Sequence, residues 1–236
     1  MPRDIYLLLD YKGDFGNKYM STPMYSGFNK DLICEYFQKE GFVVHFLYLS
    51  EVNLRDCWNH KLVLYTSTED EGCLYKEYTF DVLYALTLKG ATLVPAMPFV
   101  KAHHNKVFME MLRDITDIPE IKSISSAHFG SYEEFNKTFN HSLDNNNWVL
   151  KSAAGASSLG VRLSHNSAEL KKCAKELSLS PTSSKLRLKE YGRKIKYDGY
   201  QMNSEHRNKF VVQNFIEGLE NDWKVLIYKD KYYIVQ

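Results

Sequence analysis

One short segment of the sequence, WVLKSAAGASSLGVRL (residues 148–163), places a loop of small residues between two strand-forming runs. From Ser152 to Gly160 no side chain carries a charge, and Lys151 stands at the base of the loop. Glycine lets a backbone approach a ligand closely, serine hydroxyls and amides donate hydrogen bonds, and lysine supplies positive charge. These residue types in this order predict a cradle for a phosphate group.

Two other interpretations of this loop can be weighed from its spacing and its flanks. Gly155 and Gly160 are spaced as in a Walker A loop, but Val161 and Arg162 follow where that motif has Lys and then Ser or Thr. Strand-forming runs flank the loop on both sides, whereas a Walker A loop opens a helix. A Walker A site is therefore not predicted. An ordinary hairpin loop rich in glycine and serine remains open as the alternative.

The segments before residue 100 predict a small parallel sheet of the α/β class. Apolar runs alternate with helical runs that end at glycine, which indicates strands at 5–10, 42–50, 61–68 and 91–97 and helices at 26–41 and 75–90. Ligands on such sheets bind at the carboxyl ends of the strands, so the loop 10–19 is the expected substrate edge. This loop has no GxGxxG motif, which argues against a dinucleotide.

The segments after residue 100 are expected to be helical at first and to end in strands. We predict helices at 102–115, 131–140 and 166–177, a strand at 209–218 and a hairpin at 223–236. The intervening segment 178–209 is polar and has little periodicity, with eight basic and three acidic side chains and hence a net charge of +5. We expect a solvated extension there, with a patch for an acidic acceptor as the alternative.

The composition narrows the class of protein. The chain has 236 residues, is 44% hydrophobic and has a formal net charge of +1, which argues against global disorder and against a general attraction to nucleic acid or membrane. The four cysteines form no CxxC pair, so reduced thiols are expected. No secretion signal is visible, and no apolar stretch approaches the roughly 20 residues that span a bilayer. We therefore expect a cytoplasmic protein without a nucleic-acid or membrane partner.

Three motifs, taken together, resemble the ATP-grasp superfamily, and most of all D-alanine–D-alanine ligases and related carboxylate–amine ligases. Val149-Leu150-Lys151 and the loop 155–160 stand where that family has VKP and EGSS-G. Residues 213–220 (QNFIEGLE) stand where it has a glutamate, an apolar hinge and Gly-x-Glu. Lys106, at the start of a predicted helix, precedes all three. The resemblance covers about residues 100–236.

The resemblance implies an α/β fold with an N-terminal Rossmann-like pre-ATP-grasp domain. An ATP-grasp lid subdomain and the start of the C-terminal ATP-grasp subdomain would follow it. The corresponding boundaries are 1–100 for the pre-ATP-grasp domain, 101–145 for a helical linker, 146–212 for the lid, and 213–236 for the hinge and the start of the C-terminal subdomain.

The resemblance also implies a nucleotide site. Two lysines would contact the α- and β-phosphates, the loop would close over the β/γ end, the hinge would meet adenine through its main chain, and a glutamate would bind ribose. The implied ATP-binding residues are Lys106, Lys151, Gly155, Ala156, Ser157, Ser158, Gly160, Gln213, Asn214, Phe215, Ile216 and Glu220, and Lys224 is a weaker candidate for substrate or phosphate. A solvated lysine at 106 and an ordinary turn carboxylate at 220 remain open as alternatives.

The implied function is ATP-dependent ligation with ATP and Mg²⁺, in which a small-molecule or peptide carboxylate becomes an acyl phosphate that an amine or similar nucleophile attacks. A non-catalytic regulatory module that binds nucleotide is the alternative. Two features depart from the family pattern. Gln213 replaces the usual glutamate at the adenine amino group, and the family's magnesium ligands would lie beyond Gln236. We therefore expect this chain to be an incomplete, inactive part of the ligase, and we predict no catalytic residue and no metal ligand within it.

Overall fold

The computed structural model describes residues 3–16, 27–67, 73–139, 147–155, 160–220, 223–228 and 230–235, and it divides into two compact units, 1–103 and 104–236. The strands are β1 (Arg3–Leu9), β2 (Phe42–Tyr48), β3 (Leu62–Tyr65), β4 (Thr92–Val94), β5 (Ser126–Phe129), β6 (Trp148–Ser152), β7 (Val161–Ser164), β8 (Phe210–Asn214), β9 (Lys224–Tyr228) and β10 (Lys231–Val235). The helices are α1 (Lys30–Lys39), α2 (Leu74–Leu88), α3 (Met97–Ala102), α4 (Lys106–Ile115), α5 (Pro119–Lys122), α6 (Tyr132–Thr138), α7 (Ser167–Leu177) and α8 (Ser184–Lys196), with a short 3-10 turn at Leu49–Glu51.

Four parallel strands in the order β2-β1-β3-β4 form the sheet of the first unit. Arg3 pairs with Phe42 of β2, and Ile5 pairs with Leu62 of β3. Ile5 and Leu7 of the inner strand β1 are fully buried, as expected for a parallel strand that is covered on both faces. The parallel sheet predicted from the alternation of strands and helices is therefore confirmed.

Local signals in the sequence set the ends of the first helix. The side chain of Asn29 accepts hydrogen bonds from the backbone N–H groups of Asp31 and Leu32, which caps the amino end of α1. Gly41, just beyond the other end, has φ +79, a conformation in which glycine lacks the steric penalty of other residues. Helix α1 is thus shorter at both ends than the predicted span 26–41.

The second unit contains an antiparallel sheet in the order β5-β8-β6-β7. Leu150 of β6 lies opposite Val212 of β8, and both pack with Phe135 of α6 in a core that also includes α7. Val149 lies opposite Gln213. Because side chains alternate along a strand, this second pair points to the other face of the sheet. The sheet therefore has one apolar face and one face that can hold polar groups.

Two predictions after residue 100 need correction. The helix predicted at 102–115 begins only at Lys106, because Asn105 caps it by accepting a hydrogen bond from the backbone N–H of Phe108 at 3.3 Å. The segment expected to be a helical linker, 101–145, includes strand β5, which pairs with β8. Four residues are too few to show a clear period in the sequence, and pairing with a distant strand determines their conformation.

A third correction concerns the segment expected to be irregular, 178–209, whose middle forms helix α8. Apolar Leu188 and Ile195 are 74% and 88% exposed, so the hydrophobic residues of this helix do not face the core. The buried residue is Glu190, whose carboxylate accepts hydrogen bonds from the Tyr200 hydroxyl at 2.9 and 3.0 Å. Polar contacts hold this helix in place, and a search for hydrophobic periodicity does not detect them.

The predicted C-terminal hairpin is confirmed as β9 and β10, which pair with each other as a separate two-stranded antiparallel sheet. Several of its large apolar side chains are exposed, among them Ile227, Tyr232 and Ile234. All four cysteines are free, as expected. Among the residues that the structure describes, no helix is both long enough and apolar enough to cross a membrane.

Candidate functional site

Lys106 occupies the first turn of α4, where its backbone and its side chain are both engaged. Its N–H donates to Ala153 O at 2.9 Å, which ties the start of the helix to the segment that follows β6. Its Nζ donates to Gly155 O at 2.6 Å, across 49 residues of sequence. Val107 and Ala153 pack together with Val211 of β8 beneath this contact. The start of α4 is thus fixed against the glycine- and serine-rich loop.

Lys151 lies on β6, one residue before the strand ends. It pairs with Val211 of β8 and with Val161 of β7, so a strand supports it on each side. Its Nζ donates to Gln213 Oε1 at 2.6 Å. Lys151 and Gln213 therefore lie on the same face of the second sheet, the face opposite its larger apolar core. We call Lys106, Lys151, Gly155 and Gln213 the lysine cluster.

The electrostatics of this cluster favour an anion. Burial, and then the positive charge of Lys151, lower the pKa of Lys106 below its ordinary value of 10.5. Among the contacts of the described residues, the two ammonium groups meet uncharged oxygens of Gly155 and Gln213, and neither has a carboxylate partner. Two partly buried ammonium groups that repel each other create a positive potential, which a bound phosphate would relieve.

The two ends of the predicted cradle lie beside this cluster. Gly155 and Gly160 have φ +118 and +75, conformations that other residues rarely adopt. The backbone N–H of Ser152 donates to Gly160 O at 2.9 Å, and a Cβ added at Gly160 would lie only 2.1 Å from Ser152 Oγ. Strands β6 and β7 flank the loop, as predicted. The tip residues Ala156, Ser157 and Ser158 lie outside the described residues.

The predicted hinge, 213–216, overlaps the end of β8, because Gln213 and Asn214 belong to the strand and Phe215 and Ile216 follow it. Asn214 lies opposite Trp148 on the apolar face, and its Oδ1 is buried without a hydrogen-bond partner among the described residues. The backbone N–H of Asn214 donates to Ser125 O at 3.1 Å, so it is also engaged within the protein. The backbone N–H of Phe215 donates to Asn147 O at 3.1 Å, and Ile216 is 43% exposed. Phe215 and Ile216 thus form an apolar, partly exposed surface just after β8.

The two remaining candidates lie further along the chain. Glu220 is exposed, and Lys224 begins strand β9, where it pairs with Val235. Within the described part of the chain, no hydrogen bond or ion pair joins either side chain to the lysine cluster. The structure thus brings together Lys106, Lys151, Gly155 and Gln213 but does not bring Glu220 or Lys224 into contact with them.

In the first unit, the described part of the expected substrate loop (10–16) folds around Asp10. The carboxylate of Asp10 accepts hydrogen bonds from the backbone N–H groups of Lys12 and Asp14, at 2.8 and 3.1 Å. Burial raises the pKa of Asp10, and these two hydrogen bonds oppose that shift. Because the Asp10 carboxylate is hydrogen-bonded within its own loop, it stabilises the turn after β1. Residues 17–19 lie outside the described residues.

A cavity of about 270 Å³ lies at the carboxyl ends of β3 and β4, and it was not predicted from the sequence. Phe99, Val100 and His103 of α3 and the following turn form part of its wall. Tyr65 and Ser67 also line it, and their hydroxyl groups are buried without hydrogen-bond partners among the described residues. Such pockets hold ligands in other α/β sheets. The only sequence signal for this one is its position after two predicted strands.

The contact between Lys151 and Gln213 was also missed, because the two residues are 62 positions apart. Their shared face becomes visible only when the register of β6 and β8 is known. No cluster of three or more His, Cys, Asp or Glu side chains within the described ranges could hold a metal ion. The described residues therefore do not supply a set of magnesium ligands, and we assign none.

Comparisons with known proteins identify similar structures. No protein-family profile matches this sequence, and no curated protein matches it. The chain is similar to the crystal structure of D-cycloserine synthetase DcsG, with 10% identity, a TM-score of 0.43 and coverage of 91% of this chain and 60% of that one. It is similar to a RimK domain ATP-grasp protein from Sphaerobacter thermophilus, with 12% identity, a TM-score of 0.39 and coverage of 90% and 64%.

A third similar structure is D-alanyl-alanine synthetase A from Vibrio cholerae, with 13% identity, a TM-score of 0.42 and coverage of 99% of this chain and 65% of that one. The chain thus spans less than two thirds of the length of each of these three proteins. All three TM-scores are below 0.5. Among these three, the RimK domain protein is the one whose name includes ATP-grasp, the superfamily whose motifs the sequence resembles.

Proposed function

We propose that this chain binds ATP, with the phosphates at the lysine cluster. The observation that carries the proposal is the convergence of Lys106 and Lys151 on one face of the second sheet, without a carboxylate partner among the described residues. An isolated buried positive charge is unfavourable, and proteins normally compensate it with an anion. The glycines at both ends of the adjacent loop let its backbone approach that anion closely.

In this proposal each group has a chemical role. Lys106 and Lys151 neutralise phosphate oxygens, as ammonium groups do in other phosphate sites. The loop from Gly155 to Gly160 covers the phosphates with its backbone amides, including those of the tip residues 156–158. Residues 213–216 hold the base, with Phe215 and Ile216 supplying an apolar surface just after β8. Glu220 accepts hydrogen bonds from the ribose hydroxyls, and Lys224 is a weaker candidate for contact with substrate or phosphate.

We further propose that the reaction is ATP-dependent ligation of a carboxylate to an amine or a similar nucleophile. A carboxylate oxygen attacks the γ-phosphorus, the bond to the β-phosphate oxygen breaks, and ADP leaves. The nucleophile then attacks the acyl carbon and displaces phosphate. An ionised carboxylate needs no base for the first step, so positioning and charge neutralisation are the tasks of the protein. No step is assigned to magnesium, because the described residues supply no ligand set for it.

A second candidate is a regulatory module that binds nucleotide without turning it over. The lysine cluster supports this candidate equally, because neutralisation of phosphate charge is enough to hold a nucleotide. The two candidates share the nucleotide site and differ only in chemistry. Incubation with ATP, magnesium, a mixture of amino acids and hydroxylamine separates them. Hydroxamate formation with release of ADP, lost in Lys151→Ala, supports the ligase and excludes the module, because hydroxylamine traps an acyl phosphate.

The nucleotide site itself is tested with a matched pair of lysine variants. We expect Lys151→Ala to weaken ATP binding by at least about tenfold, since loss of one partner of a buried charge contact costs roughly 2–5 kcal/mol and each 1.4 kcal/mol is a factor of ten. Lys172→Ala is the control, because Lys172 is exposed on α7. Isothermal titration calorimetry measures both affinities. Equal affinities for the two variants would remove Lys151 from the site.

A further inference from the structure

Helix α8 lies with its polar side inwards and its apolar side outwards. In most helices of globular proteins the hydrophobic residues face the core. In α8 the buried residue is Glu190, at 6% exposed, while Leu188 and Ile195 are 74% and 88% exposed. Tyr191 is also exposed. We call Leu188, Tyr191 and Ile195 the apolar stripe, because positions i, i+3 and i+7 share one face of a helix.

Specific polar contacts hold the helix in this orientation. The Glu190 carboxylate accepts hydrogen bonds from the Tyr200 hydroxyl at 2.9 Å and from the backbone N–H of Asn203 at 3.2 Å. On the preceding turn, Arg187 pairs with Glu205 at 2.8 Å. Turning the helix to bury the apolar stripe would break these contacts, which is unfavourable for a buried carboxylate. The stripe is therefore held at the surface.

Positive charge flanks the apolar stripe. The helix carries six basic residues and one acidic residue, the buried Glu190. Arg187 and Arg193 are both paired with carboxylates. Among the described residues, no carboxylate partner is seen for the four lysines of the helix, Lys185, Lys189, Lys194 and Lys196. Helical spacing places Lys189 and Lys196 on one side of the stripe and Lys194 on the other.

This arrangement fits an anionic lipid surface better than a protein partner. Apolar side chains can enter the boundary between headgroups and acyl chains, while long lysine side chains reach the headgroups. Protein interfaces are enriched in arginine and depleted in lysine, and both arginines of α8 are already engaged within the chain. Because Ile195 is 88% exposed, the stripe protrudes and does not line a groove for a peptide. A second α8 would bring like charges together.

We propose that α8 docks this chain reversibly on membranes that contain anionic phospholipids. The apolar stripe lies at the headgroup boundary, and the four lysines lie near the headgroups. The expectation of no membrane partner came from the net charge of the whole chain, whereas these lysines are concentrated on one exposed helix. Three apolar side chains alone bind weakly, so the lysines are needed as well. The proposal is independent of the nucleotide site, because no member of the lysine cluster belongs to α8.

Co-sedimentation of the unaltered chain with lipid vesicles tests the proposal. We expect the chain to bind vesicles of phosphatidylcholine that contain about 30% phosphatidylserine, and to bind pure phosphatidylcholine at least about tenfold more weakly, because the lysines gain only from the anionic surface. Added salt should weaken the binding, since it screens exposed charges. Equal binding to the two kinds of vesicle, or binding to neither, would overturn the proposal.

Two matched pairs of variants locate the contact on α8. We expect Leu188→Ala to weaken binding to the phosphatidylserine vesicles about tenfold, through lost apolar burial. Leu88→Ala is its control, because Leu88 is 72% exposed but lies on α2. We expect Lys189→Glu to weaken binding at least about tenfold, and Lys172→Glu on α7 to have much less effect. All four residues are exposed, so we expect the variants to fold.

Other occupants of the apolar stripe would give different results. Equal binding by both members of either pair would place the contact elsewhere and overturn the proposal. A dimer that Leu188→Ala dissociates, seen by sedimentation velocity, would show that α8 meets a second copy instead. Polyglutamate that binds the unaltered chain more tightly than the anionic vesicles do, and less tightly in Leu188→Ala, would identify an acidic polypeptide as the occupant. Either of these two results would also overturn the proposal.

Discussion

The ammonium group of Lys106 lies where its charged form is disfavoured. Burial, and then the charge of Lys151, lower its pKa from 10.5. The folded chain therefore holds this proton less tightly than the unfolded chain does. Between the lowered pKa and 10.5 the unfolded state binds more protons, so this group makes the folded state more stable as the pH rises through that window.

This charge effect is measurable with a Lys106→Met variant, which keeps the length of the side chain and removes the titrating group. We expect the free energy of unfolding of the unaltered chain to rise, relative to that of the variant, as the pH increases from 7 towards 10.5. Urea titrations at a series of pH values give this difference, in which other titrating groups cancel. Lys172→Met serves as the exposed control. Parallel pH profiles for the unaltered chain and Lys106→Met would contradict the proposed environment of Lys106.

The hairpin formed by β6 and β7 depends on a glycine just before β7. Gly160 has φ +75, and a methyl group there would lie within 2.1 Å of Ser152 Oγ and 3.0 Å of Ser152 Cβ. The hydroxyl of Ser152 already donates to Ala154 O at 2.6 Å, so moving it away would break that bond. Both the positive φ of residue 160 and its close approach to Ser152 therefore favour glycine just before β7.

We expect Gly160→Ala to lower the free energy of unfolding by about 1–3 kcal/mol, through a strained backbone and the clash with Ser152. Gly192→Ala is the matched control. Gly192 lies inside α8, and no atom is within 4 Å of the position of its missing Cβ, so alanine should stabilise the chain by about 0.5–1 kcal/mol. Chemical denaturation of the two variants measures both effects. A stable Gly160→Ala chain would show that the loop end tolerates a side chain.

Elements whose signals are local were predictable from the sequence. The caps Asn29, Ser131 and Asn166 each precede a helix by one residue, and their oxygens accept hydrogen bonds from the first turn. Strand β5 was not predicted, because its conformation depends on pairing with the distant strand β8. Helix α8 was not predicted, because polar contacts of the Glu190 carboxylate hold it in place. The same distinction applies to the site. Lys106 and Lys151 follow from residue type and position, but the orientation of Gln213 depends on the register of β6 and β8.

At the level of the whole molecule, the two units have separate hydrophobic cores. Trp58 is buried in the core of the first unit and Trp148 in that of the second, while Trp223 is exposed. The lysine cluster is built entirely from residues of the second unit. A ligand at the lysine cluster therefore stabilises a unit that already has its own core. The increase in the free energy of unfolding then depends only on the ratio of the ligand concentration to its dissociation constant.

We expect ATP with magnesium, at 100 times its dissociation constant, to raise the free energy of unfolding by about 2.7 kcal/mol. Thermal unfolding with and without nucleotide measures this gain. Lys172→Ala should show the same gain as the unaltered chain at the same nucleotide concentration, and Lys151→Ala should show much less. An unchanged melting temperature of the folded, unaltered chain at millimolar ATP would refute the proposed site.

The hydrogen bond from Lys106 Nζ to Gly155 O would make the proposed binding of a nucleotide an exchange of contacts rather than a simple addition. In the chain alone, the ammonium group that would contact the phosphate, Lys106 Nζ, already donates a hydrogen bond to Gly155 O. An arriving phosphate must draw the ammonium group away, which leaves Gly155 O to find water or another donor. Hydrogen bonds to charged groups contribute about 1.5–3 kcal/mol, so the measured affinity is a difference between two comparable contacts. The contact between Lys106 Nζ and Gly155 O therefore exists in the chain alone and would be lost when the proposed phosphate binds.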